Sequence, residues 1–173
     1  IDQGIGYAEM NEATARQDGR RNESTQTQRY DKNTALVVQD GNRNVAIQDQ
    51  RTMTDKAKGS EAIIRQDGLE NYAEQIQKGK NNYARTAQDG NENYALTTQT
   101  GNGNSAITAQ DGDMNEAWAT QTGNRNEAIT RQFGNENWSK IIQDGNGNYG
   151  RVIQENGLQY SMVSQLGNNN SVN

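Results

Sequence analysis

Six aspartates, Asp18, Asp40, Asp67, Asp89, Asp111 and Asp144, each follow a glutamine and precede a glycine. Carboxylates in groups can act as acid and base or gather around a cation. Nothing in this chain joins them in such work. Its 173 residues include no His and no Cys, which removes imidazole catalysis, thiolate nucleophiles, disulfides and zinc fingers. Calcium-binding β-rolls need a G-G-x-G-x-D nonapeptide, and that pattern is absent. The aspartates read as solvated turn acids. No catalytic residue, cofactor or metal is expected, and the chain does not read as an enzyme.

Composition narrows the class further. Only 30% of residues are hydrophobic, against about 45–50% in ordinary globular chains. Mean hydropathy is -1.16. Yet net charge is only -5 and there is no proline, so the usual signature of disorder is incomplete. Something other than an oily core must order the chain. The acidic balance argues against nucleic acid as a partner. No run of about 18 apolar residues exists, so no membrane insertion is expected.

The ordering principle is an eleven-residue repeat, N-x-A-x-x-x-Q-x-G-x-x. Copies begin at Asn11, Asn22, Asn33 and Asn44, then at Ser60, Asn71, Asn82, Asn93, Asn104, Asn115, Asn126, Asn137, Asn148 and Gln159, with a stub at Asn170. A five-residue insertion before Ser60 reads as a side loop near 52–59, and residues 1–10 read as a degenerate partial repeat. Position seven is Gln in all fourteen copies. In odd-numbered copies these are Gln17, Gln39, Gln66, Gln88, Gln110, Gln132 and Gln154, and in even-numbered copies Gln28, Gln50, Gln77, Gln99, Gln121, Gln143 and Gln165.

Positions one to seven read as a strand whose odd residues share a face, and the next four as a turn. One such unit cannot bury a face alone. Two make a 22-residue coil, and stacked coils make an all-β, two-sheet parallel β-solenoid of about seven coils, roughly 34 Å long. The Asn and Gln columns are expected to form amide ladders, since each amide both donates and accepts. In the outward columns at positions two, four and six, like charges never occupy adjacent coils, as direct stacking requires. Tyr72, Tyr94, Trp138 and Tyr160 form a broken outward aromatic stripe, suited to sugars, to lateral fibril packing or to nothing beyond surface cover.

The segment from Asn93 through Gln99, Gly101 and Asn104 to Ala106 resembles the repeats of curlins, subunits of bacterial amyloid fibres of the biofilm matrix. The resemblance covers roughly residues 11–173. It implies an extracellular, cell-surface location and a homopolymer of head-to-tail solenoids. It also implies a nucleator subunit and an outer-membrane secretion apparatus as partners. Two features depart from the family pattern: more coils than its best-known members, and no separate N-terminal secretion segment.

A solenoid without capping ends should polymerise through its end coils. Asn11, Ala13, Gln17, Asn22 and Gln28 are expected on one side of the junction. Asn148, Val152, Gln154, Val163, Gln165 and Asn170 are expected on the other. The alternatives are a monomeric adhesin or an ice-binding solenoid. The second wants a regular outward Thr array, which this chain lacks. A β-helical lyase needs three faces and a groove, which eleven-residue half-coils are too thin to provide.

Overall fold

The computed structural model describes residues 2–3, 10–30, 32–51 and 59–173. The chain crosses between two parallel sheets at every turn. One sheet stacks β1 (Asp2–Gln3), β3 (Glu23–Arg29), β5 (Val45–Arg51), β7 (Tyr72–Lys78), β9 (Tyr94–Thr100), β11 (Glu116–Asn124), β13 (Trp138–Asn146) and β15 (Tyr160–Leu166). The other stacks β2 (Glu12–Arg20), β4 (Thr34–Asn42), β6 (Glu61–Leu69), β8 (Tyr83–Asn91), β10 (Ser105–Asp111), β12 (Glu127–Phe133), β14 (Tyr149–Glu155) and β16 (Ser171–Val172). Pairs β2–β3 to β14–β15 make seven coils of a two-sheet solenoid.

Register follows the repeat. Gln88 lies beside Gln110, 22 residues on, and Gln39 lies beside Gln66, 27 residues on, across the insertion. The side loop near 52–59 and the partial repeat at 1–10 lie outside the described residues, apart from Gly59, Met10 and the pair Asp2–Gln3. That pair lies beside Thr27 and Gln28.

Strands begin at position two rather than one, and end at eight or ten. Position one is a corner. Its backbone N–H is taken by a side chain: Asn93 N–H donates to Asn71 Oδ1 at 3.0 Å, one coil back. A ladder carbonyl is not needed there, so the regular pairing starts one residue later.

The space between the sheets is thin. Position three is Ala in most coils, buried at Ala35, Ala46, Ala62, Ala73, Ala84, Ala95, Ala106, Ala117 and Ala128. Small side chains let the sheets approach. Position five supplies what oil there is. Ala119, Ile141, Val152 and Val163 join one apolar cluster, and Val37 and Ile64 another. Thr86, Thr97 and Thr108 are buried between them. A Cβ at Gly150 would stand 3.1 Å from Ile141 Cγ2, so the branched residue fills the space that an alanine occupies elsewhere.

Candidate assembly interface

The position-seven glutamines from Gln28 to Gln165 are buried along the stack and bond in two directions. Along the axis, Nε2 of Gln88 donates to Oε1 of Gln110, which donates to Gln132, which donates to Gln154, each at 2.9 Å. Gln77 donates to Gln99 at 3.0 Å in the other sheet, and Gln99 to Gln121 and Gln121 to Gln143 follow at 2.9 Å. Gln17 to Gln39, Gln39 to Gln66, Gln66 to Gln88, Gln28 to Gln50, Gln50 to Gln77 and Gln143 to Gln165 complete the columns. Across the stack, the second hydrogen of each amide from Gln28 onward reaches a carbonyl of the facing strand, as in Gln110 to Tyr94 O at 3.0 Å.

Gln26, Gln48 and Gln75 add a third, shorter column at position five. Gln26 donates to Gln48 at 3.0 Å, Gln48 to Gln75 at 3.1 Å, and Gln75 ends it on Thr86 Oγ1 at 3.1 Å.

The position-one asparagines do a second job besides bonding amide to amide. Their Oδ1 atoms accept backbone N–H groups of the next coil, as Asn104 does from Asn126 and Asn126 from Asn148. Asn11, Asn22, Asn33, Asn44, Asn82, Asn115, Asn137 and Asn148 accept in the same way. Their Nδ2 atoms tie down turn carbonyls, as Asn93 does with Gly112 O at 2.7 Å. Amide-to-amide bonds are secondary here, as in Asn93 to Asn71.

A further ladder runs through the turns, at position ten. Asn102 Nδ2 donates to Asn124 Oδ1 at 3.0 Å, Asn124 to Asn146 at 3.0 Å, and Asn146 to Asn168 at 3.1 Å. At the opposite corner Asn91 donates to Asp113 Oδ1 at 2.9 Å. The recurrent Gly-Asn of the repeat was the available signal.

Charge does stack in one place, against the expectation from positions two, four and six. At position eight Asp18, Asp40, Asp67, Asp89 and Asp111 lie side by side in consecutive coils. Arg29, Arg51 and Lys78 do the same in the other sheet. All eight are exposed, where water and salt reduce the repulsion. Among the described residues no group of acids is placed to hold a metal.

The aromatic stripe jogs between columns. Tyr72 and Tyr94 stack at 5.0 Å, Tyr94 meets Trp118 at 5.8 Å, and Trp138 stacks on Tyr160 at 4.2 Å. Trp118 comes from position four, so it extends the run from Tyr94 where Glu116 interrupts position two. Its Nε1–H donates to Glu116 Oε1 at 2.6 Å, and the Tyr72 hydroxyl donates to Glu74 Oε2 at 2.9 Å. Burial, then that bond and the Glu74 charge, push the Tyr72 phenol up to about 12, and burial raises Tyr94 as well. Ring faces are turned on one another within the stacked pairs, which does not suit a sugar-binding platform.

The two ends differ in hydrogen-bonding sign. Every axial Gln bond runs from Nε2 of one coil to Oε1 of the next toward the C-terminus. The first coil is left with acceptors: Gln26 Oε1 and Gln28 Oε1 are buried without partners. Ser139 Oγ, inside the stack, is the third such atom among the described residues. The last coil is left with donors, since Gln154 and Gln165 use Nε2 only toward Trp138 O and Tyr149 O. Apolar cover is also incomplete at the ends. Ala15 and Gln17 of β2 are exposed, while their equivalents Val37 and Gln39 are 0% and 1% exposed. Tyr160, at 71%, and Leu166, at 81%, are open on β15.

Residues 79–112, 90–123 and 123–155 match the model of the curlin associated repeat. The chain carries curlin repeats. The half-coils on either side share the Asn, Ala and Gln columns of the matched ones. No curated protein matches the chain. Curlin repeats on a two-sheet solenoid fit a curli-like structural subunit, with side chains given over to stacking.

Proposed function

We propose that this chain is the structural subunit of an extracellular, amyloid-type fibre, adding head to tail through its first and seventh coils. The polarity of the glutamine columns carries the reading. In the first coil Gln17 lies exposed on the edge strand β2 and the buried Oε1 atoms of Gln26 and Gln28 have no partner, while spare Gln154 and Gln165 amide hydrogens stand at the other end. A buried polar group without a partner costs about 1–3 kcal/mol, and a second copy supplies the missing partner at both ends. Such a contact is heterologous and does not close, so it propagates as a filament.

Asn11, Ala13, Gln17, Asn22 and Gln28 line one side of this junction. Asn148, Val152, Gln154, Val163, Gln165 and Asn170 line the other. By kinship of the repeat, the fibre belongs to a biofilm matrix and to surface adhesion, with a nucleator and an outer-membrane export apparatus as partners. Ala15→Arg tests the junction. Ala15 is exposed in the single subunit, so the subunit should fold normally, while a guanidinium buried at the junction should stop growth. Fibres elongating at the wild-type rate from this variant would refute the junction.

A further inference from the structure

The chain contains three Asn-Gly pairs, Asn102-Gly103, Asn146-Gly147 and Asn156-Gly157. Asn-Gly is the dipeptide most open to deamidation, because glycine leaves its amide nitrogen unshielded. The nitrogen of Gly attacks Cγ of Asn, ammonia leaves, and a succinimide forms. Water then opens either carbonyl, giving an aspartyl or an isoaspartyl residue. The reaction requires a mobile carboxamide and an unengaged Gly N–H.

Two of the pairs have neither. Asn102 Oδ1 accepts from Lys80 N–H at 3.2 Å, while its Nδ2 donates to Asn124 Oδ1 at 3.0 Å. Gly103 N–H is engaged with Lys80 O at 3.0 Å. Asn146 is held the same way, by Asn124 N–H at 2.9 Å and Asn168 Oδ1 at 3.1 Å, with Gly147 N–H on Asn124 O at 2.9 Å. Both asparagines sit at position ten, inside the turn ladder.

Asn156-Gly157 is one residue out of step. Asn156 takes position nine, where the six coils below carry Gly19, Gly41, Gly68, Gly90, Gly112 and Gly134. Its φ is 82°, its side chain is exposed, and neither its carboxamide nor the Gly157 N–H has a hydrogen-bond partner among the described residues. Only its backbone carbonyl is used, by Asn137 Nδ2 at 2.8 Å.

We infer that Asn156 is a site of spontaneous deamidation in the folded chain, with Asn102 and Asn146 protected by the turn ladder. The product places a second carboxylate beside Glu155, and its isoaspartyl form lengthens the backbone where Asn137 is anchored.

The folded, soluble chain is incubated in mildly alkaline buffer and digested. Each of the three peptides is then followed by mass spectrometry for deamidation and isoaspartate. Asn156 is expected to react about ten-fold or more faster than Asn102 and Asn146, which must open locally first. In denaturant the three should react at similar rates. Asn156→Gly, which restores the glycine of the repeat, should fold and remove the fast phase. Equal rates in the folded chain, or no reaction at Asn156, would overturn the inference.

Discussion

Gln110 donates one amide hydrogen to Gln132 Oε1 at 2.9 Å along the axis and the other to Tyr94 O at 3.0 Å across the stack. A single side chain thus fixes the spacing of coils and the spacing of sheets. Gln110→Leu removes both bonds and strips Gln88 of its acceptor. Each buried group left unpaired costs about 1–3 kcal/mol, and the variant is expected to lose at least that much. Asn124→Ser, on the exposed turn ladder, should lose about 1 kcal/mol or less. Denaturant melts of the two variants check the ranking.

The aspartate column predicts a gain of stability on mutation. Asp67 lies between Asp40 and Asp89. Like charges opposed in a sheet destabilise by about 0.2–1 kcal/mol. Asp67→Asn should therefore raise the unfolding midpoint at low salt, and the gain should shrink as salt screens the column. A variant less stable than wild type at low salt contradicts the assignment.

Turn glycines divide into two kinds. Gly101 has φ +117°, and a Cβ there would lie 1.9 Å from Gly123 O in the next coil, so Gly101→Ala must push neighbouring turns apart. Gly103 has φ +67°, with 3.7 Å to its nearest neighbour, and Asn81 and Arg125 hold the same slot one coil away at φ 56°. Gly101→Ala should cost several times more than Gly103→Asn, read by thermal melts.

Alkaline pH should loosen the third and fourth coils. Tyr72 is raised to about 12 by burial and by its bond to Glu74, against about 10 in an unfolded chain. A raised phenol contributes stability that is complete below about pH 10 and lost as pH climbs through about 12. Tyrosinate absorbance should show Tyr72, and to a lesser degree Tyr94, ionising late. Glu74→Gln should bring Tyr72 down.

Most of the fold is legible in the period itself. Invariant Gln at position seven and Ala at position three set the face, the register and the thin core. The corners are less legible. Asn at position one reads in the sequence as the first residue of the strand and Asn at position ten as generic turn chemistry, because sequence shows tolerance of a turn and not which way its side chains point. In the structure the turn dihedrals aim Asn102, Asn124 and Asn146 along the axis. The Asp column escaped because position eight had been assigned to the turn, whereas the strands run through it. Trp118 was missed because it joins the aromatic run from a neighbouring column.

The central claim is head-to-tail growth, and electron microscopy of freshly desalted protein over several hours, with fibre diffraction of the product, tests it most directly. Unbranched fibres lengthening with time, with a meridional reflection near about 4.8 Å, are the predicted result. Short rods of one length, about seven coils long and unchanged at high concentration, would leave the solenoid standing and contradict its assembly into fibres.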